Sequence, residues 1–224
     1  MDTTVTIQPA TSPASGVAVA DGPVPSNRTT RTRIVGLLAL VFSALYLLSD
    51  VIEAVQGGFS TSQLWITLVA EAAIPVFVVG LYIVQRPQIG RLGRISALAY
   101  AYSYVFFAGT VVYALVDATP DYKALTNDLG VSMTFHGAIM VLVGLAFGCA
   151  VIRAGVLPRW TAIALMAGVV LVAISQGMPE GAQVVAAGIR DLGFVGMGAA
   201  LLRTGHVSGY RIVGAWRHPA PASQ

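Results

Sequence analysis

Charge is scarce in this 224-residue chain: Asp, Glu, Lys and Arg together make up 10% of it, where an ordinary soluble domain carries about 25%. Against an apolar content of 56%, so little charge excludes a water-solvated globular surface. Cysteine is limited to Cys149, which excludes an internal disulfide, a thiol redox pair and a cysteine-based metal site. Of the three histidines, His206 and His218 lie near the C-terminus and only His136 falls within an apolar run, so haem held between two intramembrane histidines lacks its second ligand. No Gly-rich phosphate loop follows a strand and no nucleophile elbow is present, which excludes soluble-type nucleotide chemistry. No cofactor and no metal are expected. The net charge of +3 does not signal nucleic acid, because the basic residues neither cluster on one face nor alternate with aromatics.

What the chain has in quantity is long apolar runs: 34–55, 63–84, 95–116, 131–152, 161–177 and 184–202. A hydrocarbon core of about 30 Å needs about 20 helical residues at 1.5 Å each, so every run is a candidate transmembrane helix. The expected fold is all-α: a polytopic membrane protein with a single bundle of six transmembrane helices over 34–203. Short links force joined helices to be antiparallel neighbours, which builds the bundle as three hairpins. Residues 1–33, rich in Thr, Ser, Pro, Ala and Gly, read as a disordered cytoplasmic tail, and 204–224 as a second short one. The first run is expected to span rather than to serve as a signal peptide, since no small-x-small cleavage site follows it.

Basic residues are distributed unevenly among the loops. Arg28, Arg31 and Arg33 precede the first run, Arg86, Arg91 and Arg94 follow the second, Arg153 and Arg159 follow the fourth, and Arg203, Arg211 and Arg217 follow the sixth. The opposite loops hold only Lys123, beside Asp117, Asp121 and Asp128. The positive-inside rule therefore places both termini in the cytoplasm of a multi-pass protein of the inner cell membrane. Glycines recur at helical spacing in the fourth run (Gly137, Gly144, Gly148) and the sixth (Gly188, Gly193, Gly196, Gly198). They serve close packing within the chain or, alternatively, a homo-oligomer interface.

Ionisable residues inside the runs are the candidate site. Intramembrane charge costs from about 2.5 to more than 10 kcal/mol, so it faces the bundle interior or water and finds a partner. By residue count, Glu71, Arg190 and Asp191 lie within ~4 Å of the midplane, and Asp50 and His136 about 7–9 Å toward the outside with Glu53 beyond them. No charge lies deep in the cytoplasmic half, so the simplest geometry is an acidic pocket that opens outward and is plugged at its inner end. Tyr46, Asp50 and Glu53 share one face of the first helix, and Thr67, Glu71 and Pro75 one face of the second. Pro75 lacks the amide that would pair with the carbonyl of Glu71. Depth makes Arg190 the expected partner of Glu71, while Asp191, about 100° around the helix, addresses a different neighbour. A zinc site would have to combine His136 with Asp50, Glu53 or Glu71, without any recognisable spacing.

In its length, its six runs and segments such as RIVGLLALVFSALYLL (33–48) and AIPVFVVGLYIVQRP (73–87), the chain resembles families of small bacterial integral membrane proteins of unknown function over about residues 34–203. The resemblance implies no activity and no site residue. Three readings follow from the residues themselves. In the first, the pocket binds or transports a small or amphipathic solute with proton coupling. In the second, an intramembrane enzyme works on a lipid or isoprenoid by carboxylate acid/base catalysis; in the third, the chain is an accessory subunit of a membrane complex. The expected partners are the lipid bilayer and a small-molecule or lipid ligand, with no nucleic acid.

Overall fold

The computed structural model describes residues 26–214, with side chains described over 29–203. Seven helices follow one another: α1 (Ser26–Gln56), α2 (Thr61–Val84), α3 (Gly90–Asp117), α4 (Tyr122–Leu129), α5 (Val131–Ala154), α6 (Arg159–Ile174) and α7 (Glu180–Gly214). Among the described residues there is no strand. Five helices are long and apolar enough to cross a bilayer, with candidate spans Thr29–Gln56, Thr61–Val84, Gly90–Asp117, Val131–Ala154 and Glu180–Arg203. The protein is thus a multi-pass helical membrane protein. Of the expected tails, 1–25 and 215–224 lie outside the described residues, 26–33 are the first turns of α1, and 204–214 continue α7.

Two elements differ from the expected six runs. The run at 161–177 forms a helix of 16 residues, rising about 24 Å, because helical geometry ends at Ile174 and Gly177 turns the chain with φ +82°. The acidic segment 117–130, read as a loop, contains α4. Asp121 caps it by accepting a hydrogen bond from the Ala124 amide at 2.7 Å, and Gly130, at φ +50°, ends it in a conformation that favours glycine. Leu125 of α4 is buried against Leu64, Val111, Ala114 and Met133, which fastens this helix across α2, α3 and α5.

The six longer helices close a ring: α1 packs on α2, α2 on α3, α3 on α5, α5 on α6, α6 on α7, and α7 back on α1. Small residues permit the close approaches. A Cβ on Gly36 of α1 would lie 2.9 Å from the carbonyl oxygen of Gly198 in α7. One on Gly193 would lie 2.7 Å from the Leu165 amide nitrogen and 2.8 Å from the Thr161 carbonyl oxygen of α6. Gly144 and Gly148 likewise meet Tyr100 and Met166 of neighbouring helices, so both glycine stripes serve packing within the chain except at Gly137, which has no neighbour within 4 Å. Gly193→Val should therefore force α6 from α7 and lower stability by about 1–3 kcal/mol. Gly188→Ala, whose nearest neighbour is Leu47 at 3.6 Å, should be tolerated. Thermal unfolding of the two detergent-solubilised variants checks the contrast, and an unchanged melting temperature for Gly193→Val would contradict this packing.

One half of the ring is filled by large side chains. Phe77, Tyr100, Tyr104, Phe147, Phe194 and Met197 are fully buried there. Phe77 meets Phe194 edge-on with centroids 5.2 Å apart, and Tyr100 stacks on Phe194 at 6.2 Å. This aromatic block floors the space that remains open toward α4.

Candidate functional site

That space is a cavity of about 600 Å³, the size of a small-molecule site. It runs from Phe59, Tyr122 and Glu180 at the α4 end inward to Glu71 and Arg190. Its lining divides by helix. On α1, Tyr46, Asp50 and Glu53 face it; on α2, Gln63, Thr67 and Glu71; on α7, Glu180, Gln183, Ala187 and Arg190. Each set follows helical spacing of three or four residues, so each is one continuous stripe. From α3, α5 and α6 come Phe107, Val111, Met133, Met140, Val141, Val169 and Val172. One wall is polar and predominantly acidic, the other mainly apolar and uncharged, with Thr110 of α3 and Thr134 of α5 among its residues.

Arg190 is the centre of the polar wall, with its side chain 8% exposed. Gly168 on α6 places it: a Cβ there would overlap the Arg190 backbone, so only a glycine lets α7 come this close. Its Nε and Nη2 donate to Asp191 Oδ1 at 3.0 Å and Oδ2 at 3.1 Å, and Nη2 lies 3.5 Å from Asp50 Oδ2. The guanidinium also lies over the Tyr46 ring, 4.5 Å from its centroid. A buried guanidinium thereby gains two carboxylates and an aromatic face, which offsets its loss of water.

The expected Glu71–Arg190 ion pair is not formed. Glu71 Oε1 instead accepts a hydrogen bond from the Tyr46 hydroxyl at 2.5 Å, and the same Tyr46 meets the guanidinium with its ring face. The expectation for Asp191 also needs correction: rather than facing a different neighbour, it grips Arg190 on the same helix, because the long Arg side chain curls back to the adjacent carboxylate. Glu71 is 3% exposed, and its Oε2 has no hydrogen-bond partner among the described residues.

Next to Glu71, on the mouth side, lies a network that the sequence reading missed. Gln63 Nε2 lies within hydrogen-bond distance of Thr67 Oγ1 (3.0 Å), Ser49 Oγ (3.1 Å) and Glu53 Oε2 (3.3 Å), and the Ser49 and Thr67 hydroxyls bond to each other. The signal was present, since Gln63 sits one turn before Thr67 on the stripe already recognised. Gln63 Oε1, also buried, has no partner.

His136 stands apart from the cavity. It stacks on Phe106 with centroids 3.6 Å apart and planes 5° from parallel. Its Nδ1 lies 2.9 Å from the Ser132 carbonyl oxygen, which only accepts, so Nδ1 carries the hydrogen. Nε2 is then the acceptor for the Tyr102 hydroxyl at 3.3 Å. The zinc combination of His136 with Asp50, Glu53 or Glu71 is not assembled, and no group of three His, Cys, Asp or Glu residues suited to a metal occurs among the described residues. Of the six candidate residues, Asp50, Glu53, Glu71 and Arg190 line the cavity, Asp191 supports Arg190 from behind, and His136 lies elsewhere.

No protein-family model matches the chain, and no curated protein and no solved structure matches it.

Proposed function

We propose that this membrane protein binds a small or amphipathic solute in the cavity between its helices, as a carrier or binding protein whose buried carboxylates exchange protons with the solute. The observation that supports this most directly is the polar wall: four carboxylates and one arginine facing one cavity inside a membrane protein, where unused charge is costly. In this reading α6 crosses with the five longer helices, which gives six spans in three antiparallel hairpins. The α4 end, carrying Asp117, Asp121 and Asp128, faces outward, and the Arg-rich end with both termini faces the cytoplasm. The protein then resides in the inner cell membrane. The lipid-enzyme alternative draws on one feature, the Tyr46–Glu71 hydrogen bond, as an acid/base pair.

Single cysteines in a Cys149→Ala background test this arrangement. In intact cells a small impermeant thiol reagent should label Lys123→Cys on α4 and Val172→Cys in the cavity wall. It should leave Gln88→Cys, in the exposed link between α2 and α3, unlabelled until the membrane is permeabilised. Labelling of positions 88 and 123 from the same side would refute the topology. An inert Val172→Cys would refute an outward-opening pocket. A lipid or isoprenoid recovered with the purified protein by mass spectrometry would shift the balance to the enzyme.

A further inference from the structure

We infer that the occupant of the cavity is a cationic amphipath, a single ammonium-type head on an apolar body; this rests on the solute-binding reading and gives its chemical class. The two walls differ by origin, not residue by residue. α1, α2 and α7 present Asp50, Glu53, Glu71 and Glu180 against one cation, whereas α3, α5 and α6 present mainly Phe, Val and Met side chains and no charged group. A ligand that satisfies both walls at once has a charged end and an apolar end.

The sign of the charge follows from what is already paired. Arg190 spends Nε and Nη2 on Asp191 and lies beside Asp50, so the cation is matched by two carboxylates before any ligand arrives. An anionic head would meet this compensated arginine and the surplus carboxylates of Glu71 and Glu53 together. A cationic head meets the surplus carboxylates and an arginine whose charge is already matched. Two acceptors on the α2 stripe also lack donors: Glu71 Oε2 and Gln63 Oε1, on residues 3% and 1% exposed. An ammonium supplies several N–H donors and no acceptor, as these atoms require.

The apolar wall has room for the body. Gly137 of α5 lines the cavity, and a Cβ added there would meet nothing within 4 Å, unlike those on Gly144 and Gly148 along the same helix. Gly137→Phe therefore fills the cavity from the apolar side without touching the carboxylates, and it replaces glycine inside a helix with a residue of higher helix propensity.

Three water-soluble probes with one body and different heads test the class: 6-phenylhexylamine, 6-phenylhexan-1-ol and 6-phenylhexanoate. They are measured by calorimetry on the full chain in nanodiscs, with empty nanodiscs subtracted. The amine should bind at least about tenfold more tightly than the alcohol or the carboxylate, the factor that one charge-assisted hydrogen bond supplies. Glu71→Gln should weaken the amine about tenfold and leave the alcohol within about twofold. Gly137→Phe should weaken amine and alcohol alike. If Glu71→Gln does not elute as a single species, Glu53→Gln and Gly137→Phe carry the test. Equal affinity for the three heads, preference for the carboxylate, or an amine indifferent to Gly137→Phe would overturn the inference. With Val172→Cys still labelled from outside, such a result removes the cationic class alone; with Val172→Cys inert, the pocket reading falls with it.

Discussion

Arg190→Met is expected to lower the unfolding free energy by about 3–5 kcal/mol, the largest effect of any single substitution proposed for this chain. The cause is not the loss of one attraction. Removing the guanidinium leaves Asp191, with its side chain 2% exposed, and the more open Asp50 without a cation in a medium that solvates charge poorly. The triple replacement Asp50→Asn, Arg190→Met, Asp191→Asn should recover most of the loss, since neutral groups of similar shape need no cation. A double-mutant cycle separates the neighbours. Arg190 and Asp50 should be coupled by more than about 1 kcal/mol, whereas Arg190 and Glu71, which form no direct ion pair, should couple less. Denaturant or thermal unfolding in detergent reads both cycles, and additivity of Arg190 with Asp50 would contradict the ion pair.

That Arg190 pairs with Asp191 and Asp50 and not with Glu71 shows what residue counting can and cannot supply. Counting along a helix gives height in the membrane, and it placed Glu71, Arg190 and Asp191 together. It does not give the rotation of each helix about its axis, which packing decides. Here Gly168 and Gly193 let α7 press against α6 and fix where the Arg190 side chain leaves the helix. His136 illustrates the same gap, because its height is close to that of Asp50 but its direction carries it to Phe106 and Tyr102. Where a stripe lies within one helix, spacing suffices: Tyr46, Asp50 and Glu53 face the cavity together, as do Thr67 and Glu71. The aromatic floor was foreseen only as an uncharged inner half, since Phe and Leu in a membrane helix serve lipid contact and core alike. α4 escaped because eight residues of evenly mixed apolar and polar composition form no apolar run, although Asp121 and Gly130 mark its ends. The fifth run misled in the opposite way, for it extends over Ser175, Gln176 and Gly177 while the helix stops at Ile174.

Glu71 should separate stability from ligand response more sharply than any other position. Its carboxylate holds one hydrogen bond, from Tyr46, and an unpartnered oxygen, so Tyr46→Phe removes the only donor and should cost about 1–3 kcal/mol of stability. Glu71→Gln keeps the shape and can still accept from the Tyr46 hydroxyl, so its stability should stay close to that of the parent protein. Its binding behaviour should not. A proton and a cationic head compete for the same carboxylate, and wild-type affinity for 6-phenylhexylamine should therefore fall as the pH is lowered, whereas the amide of Glu71→Gln has no proton to exchange. Asp50 and Arg190 face the same region and remain in the variant, as does Glu53 nearer the mouth. A flat profile in Glu71→Gln therefore assigns the competition to Glu71, while the same slope in both proteins assigns it to Asp50, Glu53 or Glu180. The measurement is calorimetric titration of wild type, Glu71→Gln and Tyr46→Phe across a pH series in nanodiscs, with melting temperatures recorded for each sample. A Tyr46→Phe variant that melts with the wild type would remove the Tyr46–Glu71 bond from the account of stability, and an unchanged pH profile in Glu71→Gln would remove Glu71 from the proton coupling.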